Sequence, residues 1–280
     1  MKTDFSLERF NRLFRLEMKR DSRTNLMWLA VIFGLFILLA VQLTAFREYN
    51  YADKNSEMYS WYFNDYTADV MLVFFWIGLF LGGCFSASMM MHPIRDKESA
   101  IPSLMLPASQ LEKFAVRWIT YVPVFIVLYI TGFVIIDALR VAYCTMTHPL
   151  AINVKFAFSS LLSDKDMWLA SICGLCAFLA YQSMFVLGSS IWPKKSFIKT
   201  FLGLIVINGV CSIYFTTLAL ALFEPNMNYV PLWLENWLDH FQPTRTMMAC
   251  AATAVSLIFS SINYVLAYYR YRESEIIQRW

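Results

Sequence analysis

Six apolar runs of about 20 residues or slightly more set the fold of this chain, at about 26–46, 70–91, 118–138, 167–191, 201–223 and 249–269. A helix of that length crosses a hydrocarbon core roughly 30 Å thick. Lipid offers no hydrogen bonds, so each run must satisfy its own backbone, and an α-helix does so within one segment. The pattern predicts an all-α polytopic membrane protein with six transmembrane helices in a single transmembrane domain, 1–280. Composition agrees: 59% of residues are hydrophobic and 15% charged, where a soluble domain carries about a quarter charged.

The connections between runs alternate in charge. Seventeen of the 23 Lys and Arg residues fall in the N-terminal tail, the second and fourth connections and the C-terminal tail. The other six are Arg47, Lys54, Arg140, Lys155, Lys165 and Arg245. Positive charge resists translocation, so the seventeen-residue side is expected to be cytoplasmic, with both termini inside. The net charge of +3 is small. Basic residues gathered on one face suit anionic headgroups, and nucleic acid is not an expected partner. The first run is too long, and its charged tail too extended, for a secretory signal peptide. Within that tail, 1–25, Leu7, Phe10, Phe14 and Met18 form a helical stripe opposite Arg9, Arg12, Arg15, Lys19, Arg20 and Arg23. This predicts a cytoplasmic amphipathic helix lying in the membrane plane.

All nine glycines lie inside the runs, where they permit close helix contact. Gly78, Gly82 and Ser86 repeat at four-residue spacing in the second run and mark a helix seam. Pro123 predicts a kink in the third. Five of six cysteines lie within runs, so no disulfide framework is expected. Among the outer connections, 141–166 reads equally as a strand or an interfacial helix. Pro231–Phe241 reads as a short outer amphipathic helix between the fifth and sixth runs. Glu235, Asp239 and His240 on its polar side read as a wetted face, and no metal site is expected.

Ionisable groups are nearly absent from the runs. Asp137, near an outer end, can pair with Arg140 by snorkelling. Gln182, Asn208 and Asn263 are the deep polar side chains, read as interhelical hydrogen-bonding groups or as lining of a substrate path. Cys173 and Cys176 read as small packing residues. No catalytic motif and no phosphate-binding loop is present, so the chain is not expected to be an enzyme. Any energy for uphill transport would enter from a separate protein.

The second cytoplasmic connection runs from His92 to Phe114. It carries the charged residues Arg95, Asp96, Lys97 and Glu98, then a semi-apolar stretch with Ile101 and Leu104. Leu106-Pro107-Ala108-Ser109 follows, and then Lys113. This segment resembles that of the ABC-2 type permeases, the membrane subunits of ATP-binding cassette exporters. Glu98, Leu106, Pro107, Ser109 and Lys113 match the family's order of glutamate, coupling helix, Leu-Pro-x-Ser and basic residue. Ala100-Ile101 departs from its usual glycine-threonine pair. The short spacing from Glu98 to Pro107 argues against an importer-type loop. The resemblance covers the topology of the whole chain but only about twenty residues as motif.

The resemblance implies a permease that pairs with a second copy or a paralogue, in a bacterial inner membrane. Separate ATPase subunits would bind the ATP and Mg, leaving no cofactor in this chain. Asp96, Glu98, Ile101, Leu104, Leu106, Pro107 and Ser109 would couple to the ATPase. Family architecture would place the second and fifth spans beside the central pathway, making Gly78, Gly82, Ser86 and Asn208 candidates for its lining or seam. A non-transporting scaffold, sensor or immunity protein is the competing reading.

Overall fold

The computed structural model describes residues 6–46, 61–91, 108–147, 154–159, 161, 165–192, 194–222 and 245–276. Its described elements are helical throughout, and six stretches are long and apolar enough to cross a membrane. The chain is therefore an integral membrane protein. Helix α1 spans Leu7–Val41 and α2 Thr67–Ser88. The third span is built from α3, Gln110–Ile119, and α4, Phe125–Thr147. Helices α5, α6 and α7 span Lys165–Ile191, Ser196–Leu222 and Arg245–Ile276.

Several helices outrun the apolar segments that predict them. The second begins in a π-helical turn at Tyr62, and the third runs from Gln110 to Thr147. Apolar length sets the minimum of a span, whereas the helix itself continues wherever its polar side chains find partners or water.

The N-terminal tail is continuous with the first span. Residues 7–41 form one uninterrupted helix, with no turn between the charged tail and the first span. Between residues 7 and 20 its buried positions are Leu13 and Glu17, while Leu7 is 70% exposed. The tail thus turns a partly charged face onto α3. Protein can satisfy a carboxylate with aimed donors, which explains why Glu17 occupies a buried position.

Two apolar clusters hold the bundle. Phe36, Met71, Phe75, Leu79, Phe125, Tyr129 and Phe133 join α1, α2 and α4. Cys84, Ala87, Phe114, Phe185, Val186, Ala267 and Tyr271 join α2, α3, α5 and α7. Helix α7 packs along α5. Helix α6 contacts mainly α5, and from Phe201 to Leu218 none of its residues is buried.

Proline produces a widened turn within the third span. Residues Thr120–Val124, with Pro123 among them, form a π-helical turn between α3 and α4. Pro123 has no N–H to donate, so the regular ladder is interrupted there. The Ser86 hydroxyl donates to the Tyr121 carbonyl across the seam at 2.8 Å.

At the end of the bundle away from the N-terminus, Asp137 and Arg140 are paired, but not by snorkelling. They are 2% and 3% exposed. Arg140 Nε donates to Asp137 Oδ1, its Nη1 to Thr67 Oγ1 and its Nη2 to the Lys155 carbonyl, each at 2.8 Å. Asp137 Oδ2 accepts the Ala157 N–H at 2.8 Å. In 154–159, the Lys155 N–H donates to the Asn64 carbonyl at 3.1 Å, and no strand or longer helix forms. Lys155 Nζ meets Asp65 at 2.6 Å, and this hydrogen bond holds the amine above its ordinary pKa. Residues 154–159 are thus a docked segment, and 148–153, 160 and 162–164 of the same connection lie outside the described residues. The expected helix at 231–241 lies outside the described residues.

Candidate functional site

Of the seven expected coupling residues, Asp96, Glu98, Ile101, Leu104, Leu106 and Pro107 lie outside the described residues. Ser109 is described, and it organises the base of the connection. Its hydroxyl accepts the Glu112 N–H at 3.2 Å, while Glu112 Oε2 accepts the Ser109 N–H at 2.9 Å. This reciprocal capping box starts α3 and satisfies two N–H groups that a helix end otherwise leaves free.

Glu112 does more than cap its own helix. Its Oε1 accepts the Ser6 N–H at 2.8 Å and faces Arg9 Nη2 at 3.7 Å, and the side chain is completely buried. One carboxylate therefore ties the start of α1 to the start of α3. Two turns along α1, Glu17 meets Arg20 at 3.1 Å and Arg117 of α3 at 3.7 Å. Arg117 is 2% exposed and lies over the Tyr271 ring of α7, 5.8 Å from its centroid. Phe114 packs against Tyr268 and Tyr271, with ring centroids 5.4 and 5.9 Å apart. The beginning of α1, the beginning of α3 and the end of α7 thus form one joint, at the foot of the second connection.

No known family, curated protein or solved structure matches the chain. The site has to be understood from its own geometry. A loop rooted in a buried, hydrogen-bonded joint can pass a push to three helices together, because close-packed interiors shift as units rather than deform. Sequence reading missed Glu112, Glu17 and Arg117. The signal for Glu112 was present as Ser109-x-x-Glu112, the capping-box pattern. Nothing local marks Glu17 and Arg117 as partners.

The expected pathway residues separate into two places. Gly78 and Gly82 face α1 and α4 within the chain. A Cβ at Gly78 would lie 2.5 Å from the Tyr129 hydroxyl and 3.0 Å from Phe36. That hydroxyl donates to the Phe75 carbonyl at 2.8 Å, a contact that Gly78 leaves room for. At Gly82 a Cβ would meet Phe125 at 3.1 Å and Ile32 at 3.2 Å. Ser86 joins the same seam through Tyr121. Asn208 is elsewhere, exposed on α6, and donates to the Leu204 carbonyl of its own helix at 2.8 Å.

Other deep polar groups bridge helices. Asn263 donates to Ser183 Oγ at 2.9 Å, joining α7 to α5, and Gln182 approaches the Gly83 carbonyl at 3.4 Å. Cys173 and Cys176 are both free thiols.

Gly82→Leu should overpack the seam between α2 and its neighbours, lowering stability by about 1–3 kcal/mol. A thermal melt in detergent would detect this. An unchanged melt would mean that α1 and α4 do not close on this position.

Proposed function

We propose that this chain is the permease subunit of an ATP-driven exporter of the ABC-2 type. Two copies, or one copy and a paralogue, form the transmembrane pathway, and separate ATPase subunits drive it from the basic, cytoplasmic end. The observation that carries this reading is the Glu112 joint. It roots the connection bearing the Glu98, Leu106-Pro107 and Ser109 pattern in the N-terminal helix and the third span at once. A mere connector between two spans has no need of a fully buried carboxylate at its foot, since burying such a charge is costly unless several donors meet it.

The exposed α6 supports the pairing. Asn208 stands on a helix in which no residue from Phe201 to Leu218 is buried. A polar side chain at such depth is stabilised by a hydrogen bond across a helix interface. In this reading the partner permease supplies that interface.

The test is the double variant Ile101→Asp and Leu104→Asp, made in full-length protein in its native membrane. Wild type should co-purify a soluble ATPase. The variant should insert normally and lose retention on the order of tenfold or more, as when apolar anchors of an interface are replaced by charge. Equal recovery of the ATPase by both proteins would remove this connection as the coupling element. Recovery of no ATPase by wild type would favour the scaffold or sensor reading.

A further inference from the structure

Residues 154–159 lie on the bundle in the manner of a bound peptide. Val154 packs against Tyr62, Phe63 and Cys144. Phe158 packs edge-on against Phe75 and Phe133, with ring centroids 5.0 and 5.4 Å apart. Between these two anchors Ala157 is completely buried, while Phe156 is 51% exposed. The segment is thus held by two apolar side chains four residues apart, with a small residue pressed onto the helices just before the second.

The buried polar contacts all go to the main chain of the segment. Arg140 Nη2 donates to the Lys155 carbonyl and Asp137 Oδ2 accepts the Ala157 N–H, each at 2.8 Å. The Asn64 carbonyl, within the π-helical turn Tyr62–Tyr66, accepts the Lys155 N–H at 3.1 Å. Asp137 and Arg140 are positioned by each other and by Thr67 of α2. Apolar packing would hold a connection in place with less desolvation than a buried ion pair. What the pair adds is one aimed donor and one aimed acceptor, for a carbonyl and an N–H two residues apart. Main-chain hydrogen bonds of this kind supply affinity in peptide recognition, and pockets for side chains supply selectivity. Any chain with the same pattern of side chains would meet the same contacts.

We propose that the groove between the start of α2 and the end of α4 is a peptide-binding site, which the chain fills in cis with its own residues 154–159. Its ligand is a short peptide with bulky apolar residues at its first and fifth positions and a small residue at its fourth. Asp137 and Arg140 hold the peptide groups between the two anchors. The resident segment is a tethered competitor. An outside peptide therefore enters only at concentrations comparable with the effective concentration of a tethered segment, on the order of millimolar. This assignment does not depend on the permease reading, and it would serve a sensor equally.

The experiment uses the full chain in detergent and a fluorescent synthetic peptide with the sequence of residues 154–159, followed by anisotropy. The double variant Val154→Ser, Phe158→Ser loses both anchors of the resident segment. It should bind the peptide saturably, and about tenfold or more tightly than wild type, whose own segment competes. Methylating the peptide nitrogen at the Ala157 position removes the N–H that Asp137 accepts. That should weaken binding about tenfold or more, the range of a hydrogen bond to a charged group. Methylation at the Phe156 position, whose N–H has no partner among the described residues, should not. Wild type provides a second measurement that needs no variant. Unlabelled peptide at millimolar concentration should speed hydrogen exchange of the Ala157 amide severalfold, because the displaced segment is solvated, while amides of 71–79 keep their protection. No binding by the folded double variant, equal weakening by both methylations, or unchanged exchange at Ala157 would each overturn the proposal and make 154–159 a fixed part of the fold. Equal binding by wild type and the double variant would overturn it too, by placing the peptide elsewhere. If size exclusion shows the double variant to be unfolded, the wild-type exchange decides alone.

Discussion

Asp137→Ala is expected to destabilise the protein by about 3–5 kcal/mol, because it strands a buried guanidinium. The Arg140 side chain is fully buried, and Asp137 is the carboxylate that pairs with it. The same substitution deprives the buried Ala157 N–H of its acceptor and releases the segment docked through Lys155. Arg140 would keep only neutral partners, Thr67 and a carbonyl. Removing both charges together should cost less than removing one, since no unpaired ion then remains. Unfolding titrations of Asp137→Ala and of the double variant Asp137→Leu, Arg140→Met test this. If the single variant is no less stable than the double, the pair is not the buried clamp described.

Glu112→Ala is expected to cost about 3 kcal/mol, from the loss of two hydrogen bonds to a charged acceptor at roughly 1.5–3 kcal/mol each before relaxation. The loss should be local. Hydrogen exchange should accelerate through the first turns of α1 and at the start of α3, while amides around Asp137 keep their protection. Glu112→Gln retains one acceptor oxygen and should fall between wild type and Ala. In a protein coupled to an ATPase, the Ala variant should insert and bind its partner yet transmit its motion poorly. Unchanged exchange at Ser6 and Phe10 would mean that the N-terminal helix is held by something other than this carboxylate.

Both sites show how differently kinds of information are written into the chain. The capping box of Ser109 and Glu112 was legible, because its parts lie three residues apart on a single helix turn. The bond from Glu112 to Ser6 was not, since 106 residues separate them and nothing local pairs them. The same holds for Glu17 with Arg117. Each reads as an ordinary charge until α1 and α3 lie side by side. The glycine ladder announced a close contact but not its partner, which proved to be α1 and α4 of the same chain at Gly78 and Gly82. Asp137 and Arg140 could be paired from their spacing. Their burial followed only from the docking of 154–159 over them.

Sequence by itself determined the class of this protein and the number of its spans. About 20 apolar residues in a row have one stable fate in a bilayer, since each span must satisfy its own backbone. That requirement is local, so it can be read from a single segment. Tertiary structure decided what the polar exceptions do: which carboxylate becomes a joint, which ion pair becomes a clamp, and which deep amide bridges two helices, as Asn263 does to Ser183. Those outcomes depend on the few donors and acceptors that remain after the apolar surfaces have packed. Their partners come from distant parts of the chain, and only the packed bundle brings them together.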